Sequence, residues 1–516
     1  MSSLDNLRKA ARRWLKALRV NDPAARARLE RAVPAAPASP VLRDVQHALA
    51  REHGHDSWLD LKRAVGDRGN AARSPDVAQF EQLAADFLAA WQSGDPTALR
   101  RLAAYFRHMV TWEQLRAEVD RQLSRLPESE RPAGGLTLTD VHRFLAKAAG
   151  FGSWHELVDT LSGTYTAAGS SNRHPIPRER EDAASGMLRP VELRVTLPME
   201  LPEGAYANTD LVWRMLAAAK TGDLAAVSTL VAATEGLARC EYNYMPPLHL
   251  AVREGHLEVV RFLLDHGAYN PKYVTYPYNE TFATLAEDRP HPEIAALLGE
   301  HAGRPLPGTT GGGNVHGVGH IEFPPDEDRS RLEKLVGANA LNAVEAVLDQ
   351  RPDLVEDEWV FYAEGILAMV ANRSLRTMLE LLLARGARVP DVAKWGRFYY
   401  FKHADIGELL LERGMNPNHM TWHRTTLLHD MAGEGNVEKA TLLLKHGAMI
   451  NPVDDEFRTT PLGFAARWGR RDLVRLLLDH GADPNVAGAE WATPLAWAEK
   501  KGHRDIARDL RAAGAQ

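Results

Sequence analysis

Four histidines, His403, His419, His423 and His429, fall within "FKHADIGELLLERGMNPNHMTWHRTTLLHD", and His316 and His320 sit in a glycine-rich stretch upstream. Neutral imidazoles gathered from a turn and a loop are common ligands for zinc and related ions, so His316, His320, His403, His419 and His423 form a candidate metal set. The competing reading makes such histidines structural hydrogen bonders, and on it neither a metal nor any other cofactor is expected. Familiar catalytic constellations are missing from the sequence: there is no G-x-S-x-G, no H-E-x-x-H and no D-x-D-x-D-G. The glycine-rich stretch lacks the Gly-Lys-Ser/Thr ending of a phosphate-binding loop, and "GVGHIE" fails the dinucleotide fingerprint at its last glycine.

The elements that would position these residues repeat. "PPLHLAVREGHLEVVRFLLDHGA", "TLLHDMAGEGNVEKATLLLKHGA", "TPLGFAARWGRRDLVRLLLDHGA" and "TPLAWAEKKGHRDIARDLRAAGA" share one layout, ending at Gly267, Gly447, Gly481 and Gly514. Thr and Pro start a short helix, a glycine such as Gly469 reverses the chain, and Leu473, Val474, Leu476 and Leu477 form the apolar face of a second helix. Gly481 then supplies a left-handed cap. These residues resemble the ankyrin repeat, with its T-P-L-H-x-A and G-A-D signatures. The resemblance implies an all-α class: an ankyrin-like helical solenoid with β-turn fingers. It also makes His429 and His249 structural residues that link neighbouring turns. Weaker copies ending near Ala302, Gly386 and Gly414, with two irregular pairs around 212–236 and 329–355, bring the expectation to about nine helix pairs.

Upstream, "LRDVQHALAREHGHDSWLDL" parallels "LTDVHRFLAKAAGFGSWHEL", and Asp22-Pro23 parallels Asp95-Pro96. Two small helical modules follow, the second carrying an insertion within or near "HMVTWEQLRAEVDRQLSRLPESE". The pair looks like helical segments that precede ankyrin repeats in some bacterial proteins. The expected organisation is 1–68 and 77–163 for the modules, a linker over 164–205, repeats over 206–301, a Gly/Pro-rich loop over 302–328, and repeats over 329–516.

Composition is that of a soluble protein, with 45% hydrophobic and 25% charged residues and a net charge of -6. Residues 1–75 hold 15 Lys/Arg against 8 Asp/Glu, leaving an acidic remainder. Cys240 is the only cysteine, which excludes an intramolecular disulfide and fits a reducing compartment. With no long apolar run and no apolar signal core near the start, the expected location is cytoplasmic and no membrane partner is expected.

The functional expectation is a non-enzymatic adaptor or scaffold that binds a protein partner through a concave face and turn fingers. Aromatics and arginine dominate interface energetics, which singles out Tyr276, Tyr278, Trp422, His423, Arg424, Phe457 and Trp491. The opposing reading has Trp422 and Trp491 covering neighbouring turns, and "WGRFYYF" (395–401) repacking a core. Two alternatives stand beside the adaptor. One is an enzyme, or a metal or small-molecule site, at the irregular middle repeats and the glycine-rich loop. The other is nucleic-acid binding by Arg8, Lys9, Arg12, Arg13, Lys16 and Arg19, for which a solvated helix face is the simpler account.

Overall fold

The computed structural model describes residues 4–20, 22–33, 36–37, 39–52, 58, 74–106, 110–124, 136–162, 182–201, 205–301, 320–390 and 392–516. The chain divides into two compact units, Met1–Thr164 and Tyr165–Gln516.

In the first unit, α1 (Leu4–Arg19), α2 (Pro23–Ala32) and α3 (Leu42–Glu52) bury Trp14, Leu18, Leu29, Val45 and Leu49 together. Asp22 starts α2 by accepting from the amides of Ala24 and Ala25 at 2.9 and 3.1 Å. The second module runs α4 (Pro75–Ser93), α5 (Pro96–Phe106), α6 (Trp112–Ser124), α7 (Leu138–Ala148) and α8 (Trp154–Ser162). Asp95 repeats the cap of Asp22, accepting from Thr97 and Ala98 at 2.8 and 2.7 Å. Helix α6 lies in the stretch that the sequence marks as an insertion, and Trp154 stacks on His142 at 3.8 Å. Arg13, Lys16 and Arg19 are exposed on α1, whereas the side chains of Arg8, Lys9 and Arg12 lie outside the described residues.

The second unit holds nine helix pairs among the described residues. The first block comprises α9 (Thr209–Thr221) with α10 (Leu224–Ala233), α11 (Pro247–Glu254) with α12 (Leu257–Asp265), and α13 (Phe282–Glu287) with α14 (Pro292–His301). The second block begins with α15 (Glu327–Gly337) and α16 (Leu341–Gln350), then α17 (Ile366–Asn372) and α18 (Arg376–Ala384), then α19 (Gly396–Tyr400) and α20 (Ala404–Glu412). It ends with α21 (Leu427–Glu434) and α22 (Val437–Lys445), α23 (Pro461–Arg467) and α24 (Arg471–Asp479), and α25 (Pro494–Lys500) and α26 (Arg504–Ala512). Leu473, Val474 and Leu477 point inward from α24, and Gly481 ends the repeat at φ 85°, a conformation that a Cβ would strain. Each such buried leucine contributes about 1.5–3 kcal/mol by leaving water.

Residues 182–201 depart from the expected linker. Met187, Val191, Leu193, Leu197, Met199 and Leu201 are buried in the core of the first block, and β1 (Pro198–Glu200) is the centre of a small antiparallel sheet. It pairs with β2 (Tyr206–Asn208) on one side and β3 (His320–Ile321) on the other. The Ser/Arg/Pro-rich composition that suggested a linker belongs mostly to the preceding residues, which lie outside the described ones. So do residues 302–319 of the glycine-rich loop.

A larger departure concerns the face left for a partner. First helices of each block reach turn residues of the other. Arg253 on α11 reaches Glu456 at 3.2 Å, and Arg467 on α23 pairs with Glu280 and with Asp288, the latter at 2.8 Å. Lys501 also meets Asp288, at 2.7 Å. The face expected to stay open for binding is therefore covered, at these repeats, by the chain itself.

Candidate partner-binding site

The ordinary role of a T-P-L-H histidine is visible at His429. Its Nδ1 accepts from the Thr426 amide at 3.1 Å, and its Nε2 donates to the Thr459 carbonyl of the next repeat at 3.2 Å. His249 occupies the same repeat position with a different outcome. Its Nδ1 lies 3.2 Å from the Tyr273 hydroxyl, and its Nε2 lies 3.1 Å from Glu456 Oε1, across the junction of the blocks. Burial opposes charge on Glu456, yet His249, Arg253 and Arg289 hold its carboxyl well below the usual carboxylate range. Asp454 shapes this finger by accepting from the amides of Glu456, Phe457 and Thr459 at 2.8, 2.8 and 3.0 Å.

Above the junction lies a cavity of about 40 Å³. Three backbone devices build its walls. Asn243 and Tyr244, at φ 50° and 64°, form a tight turn closed by Tyr242 and Met245 at 3.2 and 3.0 Å, which sets Tyr244 on the rim. The finger at 275–280 closes through the Thr275 amide on the Glu280 carbonyl at 2.7 Å and presents Tyr276 and Tyr278. Parallel pairing of β4 (Val392–Ala393) with β5 (Met420–Thr421) lays Lys394, Trp395, Arg397 and Phe398 beside Thr421, His423 and Thr425.

Four rings pack around the opening. Tyr276 lies 4.8 Å from Trp395, 5.2 Å from Tyr244 and 6.0 Å from Phe398. These are direct ring contacts that join the two blocks, and Tyr276 nevertheless remains 48% exposed. Polar groups line the interior. Asp430 is buried in the wall, with Arg397 Nη1 at 3.5 Å, and burial lifts its carboxyl to about 7. Lys394 meets Glu192 at 2.5 Å and Glu364 at 4.0 Å, and burial lifts Glu364 to about 8. Beside it, Phe361, Tyr362 and Ala363 form a left-handed turn at φ 53°, 57° and 61°. Such residues cost on the order of 1–3 kcal/mol each. Lys394 donates to the Tyr362 carbonyl at 2.7 Å and Glu333 accepts from the Phe361 amide at 2.7 Å, which holds the strain in place and leaves Tyr362 70% exposed.

The residues singled out from sequence separate into two groups. Tyr276, Tyr278 and His423 line this one cavity, and burial pushes His423 down to about 3. Trp422, 1% exposed, and Phe457, 0% exposed, present no surface to a partner. Trp422 packs on Tyr242 at 5.3 Å, and Phe457 sits between Tyr278 and Trp468 at 4.8 and 5.1 Å, because the Asp454 turn directs it inward. Trp491 is half-buried, 5.7 Å from Trp497 and with Arg289 5.6 Å over its ring. Arg424 donates to the Gly186 carbonyl at 2.8 Å, within the segment expected to be a linker. Of "WGRFYYF", Tyr400 and Phe401 are core, whereas Trp395 and Phe398 line the cavity.

Among the metal candidates, His316 lies outside the described residues and so does the side chain of His320. His403 Nε2 meets the Asn372 carbonyl at 3.2 Å, His419 is buried against Tyr400, and His423 is tilted over Trp422. Among the described residues no three His, Cys, Asp or Glu side chains gather as a metal set, and no helix is long and apolar enough to cross a membrane.

A family model for ankyrin repeats matches in three copies, over residues 214–304 and 397–488. The cyclin-dependent kinase 4 inhibitor B of Rattus norvegicus is 42% identical over 105 residues, which cover 20% of this chain and 79% of that protein. The chain belongs to the ankyrin-repeat family. Other relatives match shorter shares: the ARF GTPase-activating protein GIT1 of Homo sapiens is 37% identical over 83 residues, 16% of this chain and 11% of that protein. A transient receptor potential cation channel subfamily A member 1 homolog of Caenorhabditis elegans is 43% identical over 84 residues, 16% of this chain and 7% of its own length. The ankyrin repeats imply a protein–protein interaction role. Sequence reasoning missed Tyr244, Lys394, Trp395, Arg397, Phe398 and Asp430 as lining residues. Three of them, Trp395, Arg397 and Phe398, lie in the aromatic run "WGRFYYF".

Proposed function

We propose that the chain is a non-enzymatic adaptor that engages its protein partner at the aromatic rim where the two repeat blocks meet. The observation that carries this reading is the ring cluster of Tyr244, Tyr276, Trp395 and Phe398 around one cavity, with Tyr276 exposed. The helix pairs of a solenoid do not require such rings in their turns, and this residue type supplies rigid contact area at low entropy cost. Covering of the first helices moves the binding surface from the groove to this rim.

The test is site-directed photo-crosslinking in the native cell, with a benzophenone amino acid at Tyr276, at Tyr362 or, as control, at Val437 on the exposed face of α22. A shared protein adduct at 276 and 362 that is absent at 437 supports the adaptor. Adducts confined to 437, or none at any position, overturn the rim as the binding surface.

A further inference from the structure

We propose that the cavity receives the ammonium group of a lysine side chain, presented by an extended segment of the protein partner, with Asp430 as its counter-ion and Tyr276 as a cation–π wall. This rests on the adaptor reading above and adds the chemistry of the contact.

Charge is the first argument. Around the segment 394–398, the two cations Lys394 and Arg397 face four carboxylates, Glu192, Glu364, Asp430 and Glu434. Of these four, Asp430 lines the cavity, and its Arg397 contact is long, at 3.5 Å. Arg397 also turns toward Glu434 at 3.4 Å, so its charge is shared. Glu456, the other acid in the lining, is already matched by His249 and Arg253. A buried carboxylate with so little compensation is costly, and an entering cation removes the cost. Burial lifts Asp430 to about 7, which agrees with an unmet demand for positive charge there.

Size is the second argument. A space of about 40 Å³ takes an ammonium and its last methylenes, since a water-sized group needs on the order of 10–15 Å³ of such space. Asp430 already turns Oδ1 to Arg397, which leaves one oxygen for a compact ammonium and not the pair that a planar guanidinium fork takes bidentately. The rim rings supply negative faces for the charge and apolar surface for the lysine stem.

The experiment titrates the full-length protein with Ac-Gly-Gly-Lys-Gly-Gly-NH2 and with versions carrying arginine, norleucine or acetyl-lysine at the centre, followed by tryptophan fluorescence. Lysine is expected to bind at least about tenfold more tightly than norleucine or acetyl-lysine, about the discrimination that one desolvated cation–π and ion contact supplies. Asp430→Asn and Tyr276→Leu should each lose most of that preference while melting as cooperatively as the wild type, Tyr276 being half-exposed. Equal binding of lysine and norleucine, tighter binding of arginine, or no binding of any peptide overturns the proposal. If crosslinks at 276 and 362 persist in those cases, the adaptor reading survives the loss; if they are absent too, both fall.

Discussion

His249 Nε2 lies 3.1 Å from Glu456 Oε1 although 207 residues separate them in the chain. Both side chains are buried, and Arg253 completes the cluster at 3.2 Å. Glu456→Ala would leave Arg253 buried without its cross-junction partner, an arrangement that costs about 3–5 kcal/mol. Urea unfolding of the full chain should show a clearly lower midpoint, and an unchanged midpoint would refute a structural role for the cluster.

Trp422 and Tyr276 should respond in opposite ways. Truncating the buried Trp422 to Ala removes a core aromatic and should cost about 3–5 kcal/mol. Tyr276→Ser touches an exposed ring and should cost well under that while weakening partner capture. Thermal melts and crosslinking yields measured on the same two variants separate stability from binding. A partner lost only with Trp422→Ala, in a variant that melts normally, would contradict this assignment.

Asp430 predicts a pH dependence. Burial lifts its carboxyl from 3.8 to about 7, with Arg397 opposing the shift and Glu434 and Asp454 adding to it. A folded carboxyl that holds its proton more tightly than the unfolded one stabilises the fold at low pH, and that contribution is lost as pH climbs from about 4 to about 7. Asp430→Asn should therefore raise Tm at pH 8 relative to wild type and give little or no gain at pH 4. A uniform change at both values would argue against the buried acid as the cause.

Restoring the family's histidine can harm this chain. Gly463 stands where His429 stands in the preceding repeat, and a Cβ at 463 would run into the side chain of Thr459. Gly463→His should destabilise by at least the about 1–3 kcal/mol typical of overpacking, read as a drop in Tm. A neutral or stabilising result would show that Thr459 can move away.

The one cysteine offers a simple check of burial. Cys240 is buried, and burial pushes its thiol well above the ordinary range. A thiol reagent should label it negligibly in the native protein and rapidly in urea; fast native labelling would show that the core beneath the first block opens.

The helix pairs were legible because each needs the same few physical devices at the same spacing. Thr426 caps α21, Gly447 and Gly481 turn the chain at φ 86° and 85°, and the leucines between them face inward. The candidate site was legible only in part. Periodicity specifies contacts between neighbours, and nothing in "PPLHLAV" announces that His249 meets a glutamate two hundred residues away. Aromatic residues in turns suggest outward fingers; Tyr276 is half-exposed, but the Asp454 turn folds Phe457 inward and Tyr242 covers Trp422. Residues 182–201 were hidden by the composition of the stretch before them.

The pairing of the last repeat with the first block bears on how the array comes apart. In a linear solenoid the terminal repeat touches one neighbour and frays first, at a free energy well below that of the whole. Here Lys500 donates to the Glu287 carbonyl at 2.9 Å and Lys501 pairs with Asp288, so α25 is fastened to the third helix pair as well as to its neighbour. Fraying at that end must break contacts at both places, which couples the carboxy-terminal repeats to the first block as one cooperative body instead of a row of separable links.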